Sequence, residues 1–276
     1  MLLGFLHKRV LILLCSFLLV TESSFAQKAL EDSIFLHRRL ALAAKNPDDK
    51  QAHNRIMMTF LSRYLGAVSL SELPQWKDIK LLPLPDQRGA LVSWLLPIDA
   101  DQNEYYGYLV LRSEGINRLI SLQDGERFDV RLENEQLSPT QWPGAVYYDL
   151  MPTREKEVWF LLGYRSKDRL LDHKIIEVLS LKNGTPLFGQ PIIEHGKNAK
   201  YRRIFTFPSD QIFPLVFDKE RQQIVFQRLV PDDNAYAGNY LFYHVNKSFD
   251  AYRWEKKKWR LQLDVPALMP ERKKEP

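Results

Sequence analysis

Glu157 to Ile193 reads EVWFLLGYRSKDRLLDHKIIEVLSLKNGTPLFGQPII, and its pattern decides the fold. Val158 to Tyr164 is apolar or aromatic at nearly every position, which predicts a strand covered on both faces; its length argues against a short buried helix. Lys174 to Leu181 follows with Ile175, Ile176, Val178, Leu179 and Leu181, a β-branched run closed by Asn183-Gly184. That dipeptide tolerates positive φ at both positions and predicts a type I′ hairpin turn. Thr185-Pro186 through Ile192-Ile193 predicts a return strand, which Gly189 and Pro191 restrict to a bulged or edge position. The unit is a β-meander, with Trp159 expected inside its sheet.

Working outward, strand-like runs occupy Gly89 to Leu96, Tyr105 to Arg112 and Leu119 to Leu122. A polar connection from Glu133 to Pro143 then divides the β-region into two halves. The second half adds Ala145 to Leu150, Arg203 to Phe207, Ile212 to Phe217, Gln223 to Val230, Tyr240 to His244, Ala251 to Trp254 and Trp259 to Leu263. The expected fold is mainly β, an antiparallel meander of about fourteen strands with tight turns. Groups of strands recur at roughly fifty residues, as in a β-propeller, but no WD or kelch signature repeats, so propeller-like and twisted-sandwich architectures both fit.

Ahead of the strands lies an expected helical segment, residues 27–73. One helix is expected from Lys28 to about Ala44, and Asn46-Pro47-Asp48-Asp49 stops it and caps the next, from Asp49 to Leu65. The second presents Ile56, Met57, Phe60, Leu61 and Tyr64, a face expected to pack on the β-domain rather than to bind a partner. The β-domain is expected over residues 74–265, with a basic tail over residues 266–276.

His7-Lys8-Arg9, the apolar run Val10 to Val20 and Ser24-Phe25-Ala26 have the three parts of a secretory signal peptide, residues 1–26, cleaved before Gln27. The apolar run falls short of the roughly 20 residues that span a bilayer. Cys15 follows Leu14, where a lipoprotein signal needs a small residue, and it is the chain's single cysteine. Cleavage therefore leaves a protein without thiols, held together by its core in an oxidising compartment. With 45% hydrophobic residues, one main core is within reach and no second is needed.

The formal charge of +5 loses one unit with the leader. Its basic runs, Lys256-Lys257-Lys258 and Arg272-Lys273-Lys274, fall in a hairpin turn and a tail, so nucleic acid is not an expected partner. No transmembrane segment is expected after signal cleavage.

The chain also resembles a family of secreted proteins from Bacteroidetes-type bacteria to which no activity is assigned. The matching residues are Trp159 to Tyr164, Lys174 to Leu179, Asn183 to Ile192, Ile224-Val225-Phe226 and Ser248 to Tyr252, in that order over most of the mature chain. Family members carry an acidic residue after the Gly-aromatic pair, Asp-His after Val-Phe, and Pro-Asp before the Ser-aromatic-Asp run. Arg165, Gln227-Arg228 and Val245-Asn246 stand there instead. The resemblance implies a shared fold and export; any ligand or ion served by those acidic positions is expected to be lost.

Chemistry is sparsely signalled. His37, His53, His173, His195 and His244 are scattered without ligand spacing, each reading as a surface or turn residue, so no metal site and no cofactor are expected. No G-x-S-x-G elbow occurs, and Asp149, Glu157, Glu177, Asp218 and Asp250 form no paired motif, so no catalytic residue is assigned. Arg203, Tyr243 and Asp250 are the candidate binding residues, each a polar group in a strongly strand-like neighbourhood; a buried hydrogen-bonded charge or a packed ring is the competing explanation for each. Most tyrosines and tryptophans are expected to fill the core; only a contiguous exposed patch of them would mark a carbohydrate- or peptide-binding face. The expected function is a non-catalytic binding or structural protein of the cell envelope, secreted or periplasmic, partnered by an envelope protein or a glycan. The alternative is a secreted hydrolase of glycan or peptide.

Overall fold

The alternation of apolar residues along successive strands is resolved by stacking three sheets. In the computed structural model, which describes residues 25–85, 88–125, 128–166, 168–182, 184–196 and 198–266, two helices come first: α1, residues 25–43, and α2, Pro47–Ala67. The Asn46 side chain accepts from Asp49 N at 2.8 Å, the cap that the Asn-Pro-Asp-Asp run predicts. The first sheet orders β1 (Lys80–Pro83), β2 (Gly89–Pro97), β3 (Asn103–Ser113) and β4 (Ile116–Gln123) side by side. The second is built from β5 (Val146–Pro152), β6 (Val158–Ser166), β7 (Leu171–Lys182) and β8 (Thr185–Phe188). The third opens with β9 (Ile193–His195) and β10 (Asn198–Lys200). The chain then returns to the second sheet with β11 (Arg203–Pro208), giving the order β11-β7-β6-β5. It completes the third with β12 (Leu215–Asp218), β13 (Gln223–Pro231), β14 (Tyr243–Glu255) and β15 (Lys258–Gln262), in the order β10-β9-β15-β14-β13-β12.

Three apolar layers separate these elements. Met57, Leu61 and Leu65 of α2 pack on Ala90, Val92 and Val110 of the first sheet, so α2 covers that sheet while Ile56 points outward. Trp94 Nε1 donates to the buried Asn54 Oδ1 at 3.0 Å and fixes the helix on it. The opposite face, with Leu91 and Leu109, meets Trp159, Leu161 and Leu179 of the second sheet. Phe160, Leu162 and Val178 then face Ile224, Phe226 and Trp259 of the third. Strands β6 and β7 are thus buried on both faces because a sheet lies on either side of them. The other face of the third sheet carries Gln223, Val225 and Ala251, all buried, beside the partly exposed Arg253 and Gln262, and the three sheets do not close into a barrel.

Two expectations need correction. The strand foreseen from Thr185 to Ile193 is two strands in two sheets, because Gly189 turns the chain at φ +94 and Pro191 follows it. Tyr240 to His244 is not a separate strand: Tyr240–Phe242 is a 3-10 turn, and β14 begins at Tyr243 and runs unbroken to Glu255. After the long connection the β-region makes two sheets.

The β7–β8 hairpin pairs Lys182 with Thr185 and places Gly184 at φ +75; Asn183 lies outside the described residues, as do residues 1–24 of the expected leader and residues 267–276 of the basic tail. Cleavage before Gln27 would fall in the first turn of α1. No helix among the described residues is long and apolar enough to cross a membrane.

Strands β8 and β11 follow each other along the same edge of β7, and the gap between them is bridged by one backbone bond, Gly189 N to Val178 O at 2.7 Å, and by an ion pair. Arg202 Nε donates to Glu177 Oε2 at 2.7 Å, with both side chains fully buried. The remaining guanidinium nitrogens donate to the carbonyls of Leu132, Glu135 and Phe188. A Cβ on Gly189 would lie 2.7 Å from Arg202 Nη2, so the clamp needs that glycine.

The β14–β15 turn is built against local preference. Glu255 pairs with Lys258, and the two residues between them, Lys256 and Lys257, have φ of +48 and +65. Side chains at such angles cost on the order of 1 kcal/mol each. Replacing Lys256-Lys257 by Asn-Gly should therefore stabilise the protein by about 1 kcal/mol or more. A urea midpoint unchanged or lowered would contradict this account of the turn.

Candidate functional site

Where the second and third sheets part, at the start of β11, a polar residue replaces the apolar ones that fill the layer further in. Arg203 and Phe205 project from β11 toward Phe226, Asp250 and Tyr252, and Tyr240, Tyr243, Arg228 and Leu261 complete a half-open cleft of about 240 Å³. Depressions of about 510 and 590 Å³ beside the turn at residues 152–158 are larger, but exposed turn residues such as Lys156 and Lys257 line much of them. The cleft differs in having buried charges behind it.

A register shift between Gln227 and Leu229 bends β13 at Arg228. Arg228 Nε and Nη2 engage Asp250 bidentately at 2.9 and 2.5 Å, and Nη2 also donates to Asp264 Oδ1 at 2.9 Å. Asp250, only 4% exposed, accepts in addition from Asp264 N at 3.1 Å. On the opposite wall Arg203 donates to Glu133 and, through Nε, to Tyr252 Oη at 3.1 Å. Glu133 also accepts from Ile204 N at 2.8 Å and lies 3.9 Å from Lys200 Nζ. Three cations and three carboxylates therefore balance one another around the cleft.

His195 stands 3.5 Å from Tyr252 Oη, and partial burial together with the Arg203 and Lys200 charges pushes its imidazole from the ordinary 6.5 down to about 4. It is uncharged at neutral pH. On acidification the unfolded chain binds this proton first, so His195 weakens folding progressively between about 6.5 and about 4. A proton NMR titration of its Cε1–H should inflect near 4 in the folded protein; an inflection above about 6 would show the two cations to be remote in solution. Burial raises the Tyr252 phenol, with Arg203 pulling it back, and burial raises that of Tyr240 as well, so both remain neutral donors and acceptors.

The rim is formed by the excursion between β13 and β14. Asp233 caps a short turn through Ala235 N, Gly238 N donates to Tyr243 Oη at 3.0 Å, and Asp232 N donates to Phe242 O at 2.9 Å. These bonds order the segment without burying it. Tyr236 and Phe242 stack at 4.4 Å, Tyr240 lies 5.0 Å from Tyr243, and all but Tyr243 are exposed.

Arg203, Tyr243 and Asp250 thus come to one cleft, which sequence reading could not foresee. It missed Glu133, Arg228 and Tyr240; Arg228 was noted only as a departure from a family pattern. Most of the tyrosines and tryptophans, Trp94, Tyr105, Trp142, Tyr147 and Trp159 among them, are core as expected. His173, expected at the surface, is buried against Phe128 and hydrogen-bonds Thr206 Oγ1 at 3.0 Å. Strand alternation sends Thr206 to the face of β11 opposite Arg203 and Phe205. No group of three metal-ligating side chains comes together among the described residues. No family model, curated protein or solved structure matches this chain, so the cleft is read from its own geometry.

Proposed function

We propose that this chain is an exported protein of a bacterial cell envelope that binds a ligand, without transforming it, in the cleft between its second and third sheets. One observation carries the reading: Asp250, the carboxylate that lines the cleft, and Glu133, buried behind Arg203, are already held by guanidinium groups, while ordered aromatic rings stand exposed at the mouth. A hydrolase needs an acid or base free to exchange protons with a substrate. A binding site needs shape, hydrogen-bonding edges and an apolar face, all of which the cleft has. Export is supported by the leader-like pattern of residues 1–26, by the absence of cysteine after it, and by the resemblance to secreted proteins.

The test has two parts. Expression in a host with a Sec pathway should yield a periplasmic product beginning at Gln27; full-length protein in the cytosol, or lipid on Cys15, would count against export. The purified product, applied to glycan and peptide arrays, should retain a ligand whose mass is unchanged after prolonged incubation. Recovery of a cleaved ligand would replace the binding reading by the hydrolase one.

A further inference from the structure

We infer that the cleft takes an uncharged sugar unit, stacked by one face on Tyr240 and hydrogen-bonded along its edge by the Arg203 and Arg228 walls. The inference rests on the binding reading and names its ligand class. Charge is the first consideration. Arg203 holds Glu133, which also lies near Lys200, and Arg228 holds Asp250 and Asp264; the three cations and three carboxylates cancel only over the two groups together, each guanidinium already has a carboxylate partner, and His195 is neutral at physiological pH. A phosphate, a uronate or a charged peptide side chain would lose its hydration on entry and meet no unpaired counter-charge.

The hydrogen-bonding inventory is the second. A guanidinium has five N–H donors and its carboxylate partner about four acceptor sites, so the two ion pairs keep donors and acceptors to spare after pairing. Tyr252, Tyr240 and His195 add groups that both donate and accept, or do one of the two. Vicinal hydroxyls, each both donor and acceptor, match such alternating edges; a purely apolar ligand leaves them unsatisfied. The apolar face is the third: Tyr240, 38% exposed, and Leu261, 36% exposed, lie on the lining. The π face of a tyrosine is electronegative and meets the C–H face of a pyranose, whose hydrogens are weakly positive. The excursion that carries Tyr240 is closed by its own hydrogen bonds, so the ring is held in place before any ligand arrives. At about 240 Å³ the cleft lies below the usual range of drug-sized pockets, which suits one sugar ring rather than a folded peptide.

Calorimetric titration of the mature protein against neutral disaccharides of glucose, galactose, mannose and N-acetylglucosamine, the corresponding uronates, and tyrosine-containing tripeptides tests this. Binding is expected for at least one neutral disaccharide, about 10-fold weaker in Tyr240→Ala, whose exposed ring can be removed without disturbing the core. Saturation-transfer NMR should place the C–H protons of one sugar face against the tyrosine. Glu133→Gln keeps the acceptor for Ile204 N but leaves Arg203 without its counter-charge, and should shift preference toward the matching uronate by several-fold. Tyr240-dependent binding of uronates or tripeptides by the unmodified protein, without neutral sugars, would overturn the sugar inference and keep the binding reading. Binding of none of the three classes would overturn both.

Discussion

Arg202→Met should cost about 3–5 kcal/mol of folding stability, because it strands a fully buried carboxylate and three carbonyls at once. Burial already raises the Glu177 carboxyl above its usual range, with Arg202 pulling it back down. Without Arg202 the carboxyl rises further and takes up a proton. The folded state of the variant then binds protons more tightly than the unfolded chain, so its stability falls as pH rises above the unfolded value near 4.5. The deficit relative to the parent should accordingly be larger at pH 8 than at pH 5, read from urea unfolding at both. The double variant Glu177→Met with Arg202→Met should recover part of the loss, since no charge remains to be desolvated. A single variant within about 1 kcal/mol of the parent at both pH values would mean that the gap between β8 and β11 is hydrated and the clamp dispensable.

Trp159→Ala carries the second large effect, about 3–5 kcal/mol. Trp159 sits in β6, 4% exposed, in the layer where the second sheet meets the first. Its strand neighbour Leu179 cannot move inward to fill the space, because the ladder pairs it with Trp159 on one side and Phe188 on the other. The loss therefore includes a cavity term as well as the lost apolar transfer. Trp159→Phe should cost less, since most of the apolar volume remains. Equal urea midpoints for the parent and Trp159→Ala would place that ring at the surface and undo the three-layer description.

Cleft and core respond to different changes. Tyr240→Ala is expected to alter binding and leave the urea midpoint in place, whereas Arg202→Met acts on stability from the other face of the second sheet. That separation lets a binding defect be told from a folding defect.

The strands of the central meander were legible in residues 157–193 because period, β-branching and turn chemistry act within a few residues of one another. The double burial of Val158 to Tyr164 was legible too, since a strand apolar at nearly every position has to be covered twice. The helix cap at Asn46 belongs to the same class of local signal. By contrast, Tyr240 to Phe242 carries the aromatic composition of a strand and forms a turn, because Phe242 N donates to Asn239 O and Phe242 O accepts from Asp232 N.

The pairing of Arg203 with Glu133 spans 70 positions, and that of Arg228 with Asp250 spans 22 across a register shift. Such partners depend on which strands become neighbours and on where two sheets part. The sequence by itself determined a chain of short, mainly antiparallel strands behind two helices, through interactions of short range. Only the tertiary structure decided that three sheets stack without closing, that Arg202 fills a break in the second, and that Arg203, Tyr243 and Asp250 share one cleft. Those outcomes follow from the stacking of whole faces and the burial of charge, which no short window of sequence contains.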